Sequence, residues 1–374
     1  MANFAVNPLE RFSGGSAAIK RPSEITCFSF DDNHEYRADD SSLKWYYTPK
    51  IGTDLKVGFE QFRNLDDTQD EHLDALLRAV MELEQKNQEE CEAVIVTWRG
   101  MMTKLMTVLY EKFNEFEMNA TCFQGTIFIE ENGEYKARSR ATEASIPRRF
   151  PGPSGDMMTY WGYKFEALAL IPRPWGEVSR ELIEGRPTAP VSNYAQYCSI
   201  VKTSIGGIPM VLGGEVDGIS GMKPMDPSNP ISYIELKTHQ TPRSQRLKIT
   251  FEKKLLKFWA QSFLLGIPRI IVGFRDENGI LEDEVKFETA KIPGIVRSGG
   301  LVEWNGNVCI NFLAAFLQHL QKTVTTDGVW RIRHKLDSPE IEVFKVEENG
   351  HGEILSNEFK QWRKALRFRD EGLT

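Results

Sequence analysis

Histidine is scarce and scattered in this chain. Its six copies, His34, His72, His239, His319, His334 and His351, show no paired spacing, which disfavours a zinc centre or a Ser-His type of triad. The five cysteines, Cys27, Cys91, Cys122, Cys198 and Cys309, are odd in number and widely separated, with no Cys-x-x-Cys pair. Reduced structural thiols are expected, not a disulfide framework. No run reaches the roughly 18 apolar residues of a membrane span, and residues 1–20 have no signal-peptide core, so the expectation is a soluble intracellular protein. The net charge of −7 argues against a broadly basic nucleic-acid surface, although local charge can differ from the total. If the chain does chemistry, carboxylates must carry it.

What is present is ordinary for a folded domain. Hydrophobic residues at 41% and charged residues at 26% of 374 support a substantial core. Residues 1–24 are polar, Gly- and Ser-containing, and expected to be loose at the surface. With no internal repeat and no linker-like shift in composition, residues 25–374 are expected to form one domain.

Apolar patterning predicts strands at 25–30 and 43–47, a helix from Thr68 with Thr68-x-x-Glu71 as its capping box, and a buried strand 93–98 running through Arg99 into a helix. Asn132-Gly133 suggests a hairpin joining 126–130 to 135–138, followed by loop over 139–155 with Arg140, Arg148 and Arg149. A helix is expected over 156–170, a hairpin around Gly206-Gly207, a strand 231–238, a long helix near 248–265, and strands 268–276 and 281–288 around Asn278-Gly279. A helix over 311–324, strands 329–334 and 340–346, and a terminal helix from near Ser356 complete the chain. Irregular alternation of this kind indicates a mixed α/β (α+β) fold.

The stretch Met210–Thr238 stands out. Glu215 and Asp217 are two residues apart, as are Glu235 and Lys237, so on extended backbone each pair projects to one face about 6 to 7 Å apart. Carboxylates and carbonyls suit hard divalent cations, and a lysine beside such a site suits attack of water on a phosphate ester. Metal-dependent phosphodiester hydrolysis is the first expectation. Six basic residues between Arg243 and Lys257 stand against one acid, Glu252; they make either a phosphate-facing patch or a solvated helix face. Gln261, one turn past Lys257, is neither apolar nor charged and needs a reason if buried. Arg99 by position alone could equally make a surface ion pair, and Glu166 by itself would be a solvated helix residue. The basic, aromatic end Trp362–Arg369 is expected to pack with its arginines solvated.

Asp217 followed eighteen residues later by Glu235-x-Lys237 is the D-(D/E)-x-K nuclease pattern. Around it stand Trp98-Arg-Gly100, Trp161-Gly-Tyr-Lys-Phe-Glu166, Gly214-Glu-Val-Asp217, Ile234-Glu-Leu-Lys237, the run Lys253–Pro268, and Val272-Gly-Phe-Arg-Asp276. In this order, over residues 94–276, they closely resemble the DXO family of RNA 5′-end decapping nucleases. The wording is most similar to the fungal branch that binds and stimulates the nuclear 5′-3′ exoribonuclease.

The resemblance implies that Glu166, Asp217, Glu235 and the Leu236 carbonyl ligate one or two Mg²⁺ or Mn²⁺ ions. Glu215 would ligate or orient a bound water, and Lys237 would position the nucleophile or the scissile phosphate. Arg99 would neutralise phosphate charge, and Gln261 would bind substrate. It further implies pyrophosphohydrolase activity on 5′-triphosphate RNA, removal of incomplete or NAD caps, RNA 5′ ends as substrate, an exoribonuclease partner, and the nucleus as location. Two other readings stay open: a non-catalytic stabilising subunit of that exoribonuclease, and a DNA-processing nuclease.

Overall fold

The structure, a computed structural model, describes residues 2–66, 68–111, 114–146, 152–226 and 229–370. In chain order its strands are β1 (Ala2–Ala5), β2 (Ile19–Phe30), β3 (Tyr36–Arg37), β4 (Trp45–Tyr46), β5 (Ile95–Trp98), β6 (Phe116–Phe123), β7 (Thr126–Glu131), β8 (Leu170–Ile171) and β9 (Gln196–Ile205). They continue with β10 (Ile208–Glu215), β11 (Gly218–Ile219), β12 (Tyr233–Gln240), β13 (Arg269–Arg275), β14 (Leu281–Glu288), β15 (Val329–His334) and β16 (Glu340–Glu347). The α-helices are α1 (Asp74–Asn87), α2 (Arg99–Thr107), α3 (Gly133–Ser145), α4 (Gly155–Ala169), α5 (Arg180–Gly185), α6 (Gln245–Leu265), α7 (Ile292–Gly299), α8 (Gly306–Thr323) and α9 (Asn357–Asp370).

Among the described residues the strands form two mixed sheets. One has ten strands in the order β1-β16-β15-β6-β7-β5-β10-β9-β2-β3, the other six in the order β14-β13-β12-β11-β4-β8. β10 sits inside the larger sheet, parallel to β5 and antiparallel to β9. Its hairpin with β9 turns through Gly206 and Gly207 at φ 60° and 81°, the left-handed geometry that a two-residue hairpin of matching twist requires. After Glu215 the chain leaves this sheet and, three residues later at Gly218, enters the smaller one as β11, antiparallel to β12. The Glu215/Asp217 pair therefore lies where the two sheets meet.

Burial follows the apolar pattern. The largest core cluster joins α2, α6 and α8 to the strands through Met102, Leu105, Leu212, Leu256, Phe312 and Phe316. In α6, Ser244 Oγ accepts from Leu247 N (3.3 Å) at the start, and Gly266 at φ 71° ends the helix, a side-chain N-cap and a glycine C-cap. A separate cluster presses Tyr160, Trp161, Phe165 and Leu168 of α4 onto Ile234, Leu236 and Ile271 of the smaller sheet. The five cysteines are free thiols, and among the described residues no helix is long and apolar enough to cross a membrane.

Four expectations are corrected. Residues 2–5 pair with 340–343 as β1 and residues 19–24 open β2, so much of the segment expected to be loose is docked in the larger sheet. Thr68 and Glu71 cap no helix: α1 begins at Asp74, because Asp70 Oδ1 accepts from His72 N (3.0 Å) and His72 sits at φ 48°, breaking the helical path. Asn132-Gly133 starts a helix, not a hairpin turn, since Asn132 Oδ1 accepts from Tyr135 N at 2.7 Å; asparagine serves both motifs. Residues 139–145, read as loop, belong to α3, while Arg148 and Arg149 lie outside the described residues.

The C-terminal helix gives the last difference. Arg363, expected to be solvated, is 1% exposed and pairs with Glu84 of α1, also 1% exposed. Glu84 additionally accepts from Trp362 Nε1 (3.0 Å) and Cys91 N (2.8 Å). A paired buried charge that loses its partner is left in a medium that solvates it poorly. Glu84→Ala is therefore expected to lower unfolding stability by about 3–5 kcal/mol, read from the midpoint of a urea titration. A loss under about 1 kcal/mol would show that the pair does not hold α9 to α1.

Candidate active site

The site is assembled by register. Trp98 of β5 is paired with Gly213 of β10, which brings Arg99, the first residue of α2, alongside Gly214. A Cβ on Gly214 would lie 2.6 Å from Leu265 Cδ1 and 3.2 Å from Arg99 Cβ. Glycine there lets α6 and the arginine close on the strand. Beyond it, Glu215 faces the open cleft, Val216 is buried in the main core, and Asp217 Oδ2 accepts from Leu236 N at 2.5 Å. That bond ties the crossing between sheets to β12.

Glu235 and Lys237 share one side of β12, as their two-residue spacing requires. Glu235 is buried with both oxygens engaged: Lys237 Nζ donates to Oε1 (2.6 Å) and Arg99 Nη1 donates to Oε2 (3.0 Å). Leu236 between them packs under α4. Glu166 is carried by α4, whose Phe165 lies so close to β13 that a Cβ on Gly273 would sit 2.5 Å from the ring. Glu166, Glu215 and Asp217 line a narrow pocket of about 50 Å³, and Glu166 with Lys237 also lines a larger cavity of about 890 Å³.

Gln261 is half-buried on α6. Phe258, three residues before it, has Lys237 Nζ 5.9 Å from its ring centre, and Leu265, four residues after it, touches Gly214. The structure thus brings Glu166, Glu215, Asp217, Glu235, Leu236, Lys237 and Arg99 to one cleft and sets Gln261 on the helix along its wall. The basic run of α6 is there as well: Lys253, Lys254 and Lys257 line the larger cavity. Sequence reasoning missed Lys44. It shares the narrow pocket with Glu166, Glu215 and Asp217, delivered by β4 and held by a bond from Ile219 N to its carbonyl (2.9 Å). No pattern in the chain signals it, because it lies about 170 residues before Glu215.

The electrostatics are those of crowded acids. Burial, then Asp217 and Glu215, push Glu166 well above the usual carboxylate range. Burial and the Glu235 charge raise Asp217 to about 7, and for Glu215 the loss of solvent around it, helped by Glu235, raises it against the pull of Arg99. Glu235 goes the other way: burial would raise it, but Arg99 and Lys237 outweigh that and hold it near 2. Burial opposes the charge on Arg99 and Lys237, yet Glu235 and Asp217 keep both raised.

These residues suit a hard divalent cation. The donors are carboxylate oxygens with a backbone carbonyl beside them, the set preferred by Mg²⁺ or Mn²⁺, and three raised carboxylates amount to a deficit of positive charge. As the side chains stand, no three acidic, histidine or cysteine groups among the described residues converge on a metal-binding point. The reason is visible in Glu235, whose two oxygens are turned to lysine and arginine.

Comparison with known proteins follows the same line. The chain is 51% identical over 366 residues to the decapping nuclease RAI1 of Gibberella zeae, covering 98% of this chain and 97% of that protein. The crystal structure of Candida albicans Rai1 in complex with pU5-Mn²⁺ superposes with a TM-score of 0.90 at 30% identity, over 98% of this chain and 100% of that one. Scheffersomyces stipitis Rai1 in complex with (3′-NADP)⁺ and calcium ion gives 0.88 at 30% identity, with the same coverage. The sequence model of the RAI1 like PD-(D/E)XK nucleases matches residues 20–360, and the chain belongs to that family.

Proposed function

We propose that this protein is a divalent-metal-dependent hydrolase of RNA 5′ ends, releasing pyrophosphate from 5′-triphosphate RNA and removing incomplete or NAD caps in 5′-end quality control. The observation that carries the reading is the meeting of Glu215 and Asp217 with Glu166 and the Arg99–Glu235–Lys237 triad at the junction of the two sheets. It is supported by relatives named as decapping nucleases and by neighbours solved with Mn²⁺ and pU5 or with (3′-NADP)⁺. Stimulation of a nuclear 5′-3′ exoribonuclease, and with it a nuclear location, is proposed from the family branch.

Glu166, Asp217, Glu235 and the Leu236 carbonyl are the groups that would hold one or two Mg²⁺ or Mn²⁺ ions, with Glu215 ligating or orienting a water. A divalent ion there supplies polarisation of the phosphate and activation of water. The remaining work falls to this chain's own groups. Arg99 and Lys237 are cations kept protonated by neighbouring acids, so they can offset charge on a phosphate as it builds in the transition state. Lys237 stands closest to Glu235 and would orient the attacking water or the scissile oxygen. Gln261, on the α6 wall between Phe258 and Leu265, offers an amide to the substrate.

Glu215→Ala with Asp217→Ala is expected to abolish Mg²⁺-dependent release of pyrophosphate from 5′-triphosphate RNA, with an unchanged circular dichroism spectrum. Full activity in that double variant would sink the site assignment; loss of activity with retained stimulation of an exoribonuclease would separate enzyme from scaffold.

The raised acids also fix a pH dependence. A carboxyl that ionises at higher pH folded than unfolded contributes stability that is lost as pH rises between the two values. For Asp217 that window runs from the unfolded value of 3.8 to about 7, and Glu166 acts in the same direction. Metal-free protein is expected to lose thermal stability between roughly pH 5 and pH 8, and Mn²⁺ to restore more at pH 8 than at pH 5. Glu166→Gln/Asp217→Asn should flatten both effects in a thermal-shift series, and an unchanged metal response in that variant would contradict the ligand set.

A further inference from the structure

The helix that delivers Glu166 does not close its own end. The last turn of α4 contains no basic residue, and after Ala169 the chain passes straight into an extended Leu170 at φ −127°, with no glycine to terminate the helix. The last carbonyls of such a helix must find donors elsewhere. Ala169 O accepts from Tyr47 N at 2.8 Å, and Leu168 O accepts from Nη1 of Arg186.

Arg186 also reaches the strand beside that helix. The same Nη1 donates to Tyr47 O (3.3 Å), the guanidinium lies 4.7 Å from the centre of the Tyr47 ring, and Nε donates to Ile183 O of α5 (3.0 Å). One half-buried side chain therefore bonds carbonyls on three segments. A planar guanidinium holds its N–H groups at fixed angles and suits this bridging, whereas a lysine offers a single ammonium on a flexible stem. The same connection grips α4 a second time: Lys164, fully buried, donates Nζ to Ala189 O at 3.3 Å.

The two carbonyls bridged by Nη1 belong to the segments that carry two groups of the narrow pocket. Leu168 is two residues past Glu166, and Tyr47 is three past Lys44. Both side chains share that space of about 50 Å³ with Glu215 and Asp217. So small a space leaves little room for a displaced donor, and an ion such as Mg²⁺ demands near-ideal geometry at about 2.0–2.1 Å from its donors. We infer that Arg186 is a positioning residue for this centre: by clamping the end of α4 to the segment after β4, it sets where Glu166 stands relative to Lys44 and Asp217. The inference rests on the proposed reading of Glu166 as a metal ligand. Arg186 acts through the backbone, since its three partners are all carbonyl oxygens.

Calorimetric titration of Mn²⁺ into the intact protein, without RNA, tests this as a double-mutant cycle. Arg186→Met keeps the apolar stem and removes the donors. It should weaken Mn²⁺ binding about tenfold, but by less than about twofold when Glu166→Gln is already in place. Arg186→Lys should recover part of the loss, to within about threefold of wild type, and carries the same cycle if the methionine variant does not fold. In metal-free Arg186→Met, amide hydrogen exchange should quicken over residues 166–169 and stay unchanged in the middle of α6. An equal loss of Mn²⁺ affinity with and without Glu166, or unchanged exchange at the end of α4, overturns the inference. Wild-type Mn²⁺ affinity in Glu166→Gln alone overturns the ligand reading itself, and the inference with it.

Discussion

Glu235 is a buried carboxylate with one oxygen on Lys237 and the other on Arg99. Much of the site depends on this triad. Each partner comes from a different part of the fold: Arg99 from the start of α2 beside the larger sheet, Glu235 and Lys237 from a strand of the smaller. The Arg99–Glu235 bond therefore joins the two sheets through charge. Burial alone would neutralise Glu235, and the two cations keep it ionised. The same burial leaves Glu166 and Asp217, which have no such cations bonded to them, pushed upward. One acid is satisfied by protein and its neighbours are short of positive charge, which is the condition that recruits a divalent ion.

Backbone contacts set this arrangement to within a side chain's reach. Glycine at 214 lets Leu265 and Arg99 close on β10, and glycine at 273 lets Phe165 lie on β13. A larger residue at either position would push α6 or α4 outward, and with it Gln261 or Glu166. The motif glycines thus act through helix-to-sheet distance, which sets the width of the cleft.

Much of the site was legible in the chain. The two-residue spacings of Glu215/Asp217 and Glu235/Lys237 need only extended backbone to share a face, and both sit at strand ends or in strands as read. The misreadings have local physical causes. Asn132 can end a hairpin or cap a helix with the same side chain, and only the Tyr135 N–H that it reaches decides which. Thr68-x-x-Glu71 has the letters of a capping box, but Asp70 captures the His72 N–H and turns the chain out of helical register. Arg363 could be read as solvated because its partner Glu84 lies in a helix nearly 280 residues earlier.

The sequence by itself determined the spacing of the residues proposed to carry the chemistry and most of the strands and helices that hold them, because periodicity and spacing act over a few residues. It also carried, in short motifs, the family to which the chain belongs. Only the tertiary structure decided that Lys44 joins the acids, that Glu235 is spoken for by two cations while Asp217 and Glu166 are not, and that the lysines of α6 line the same cavity as Glu166. Those facts depend on distances between segments far apart in the chain, and Coulomb energy and desolvation follow distance in space.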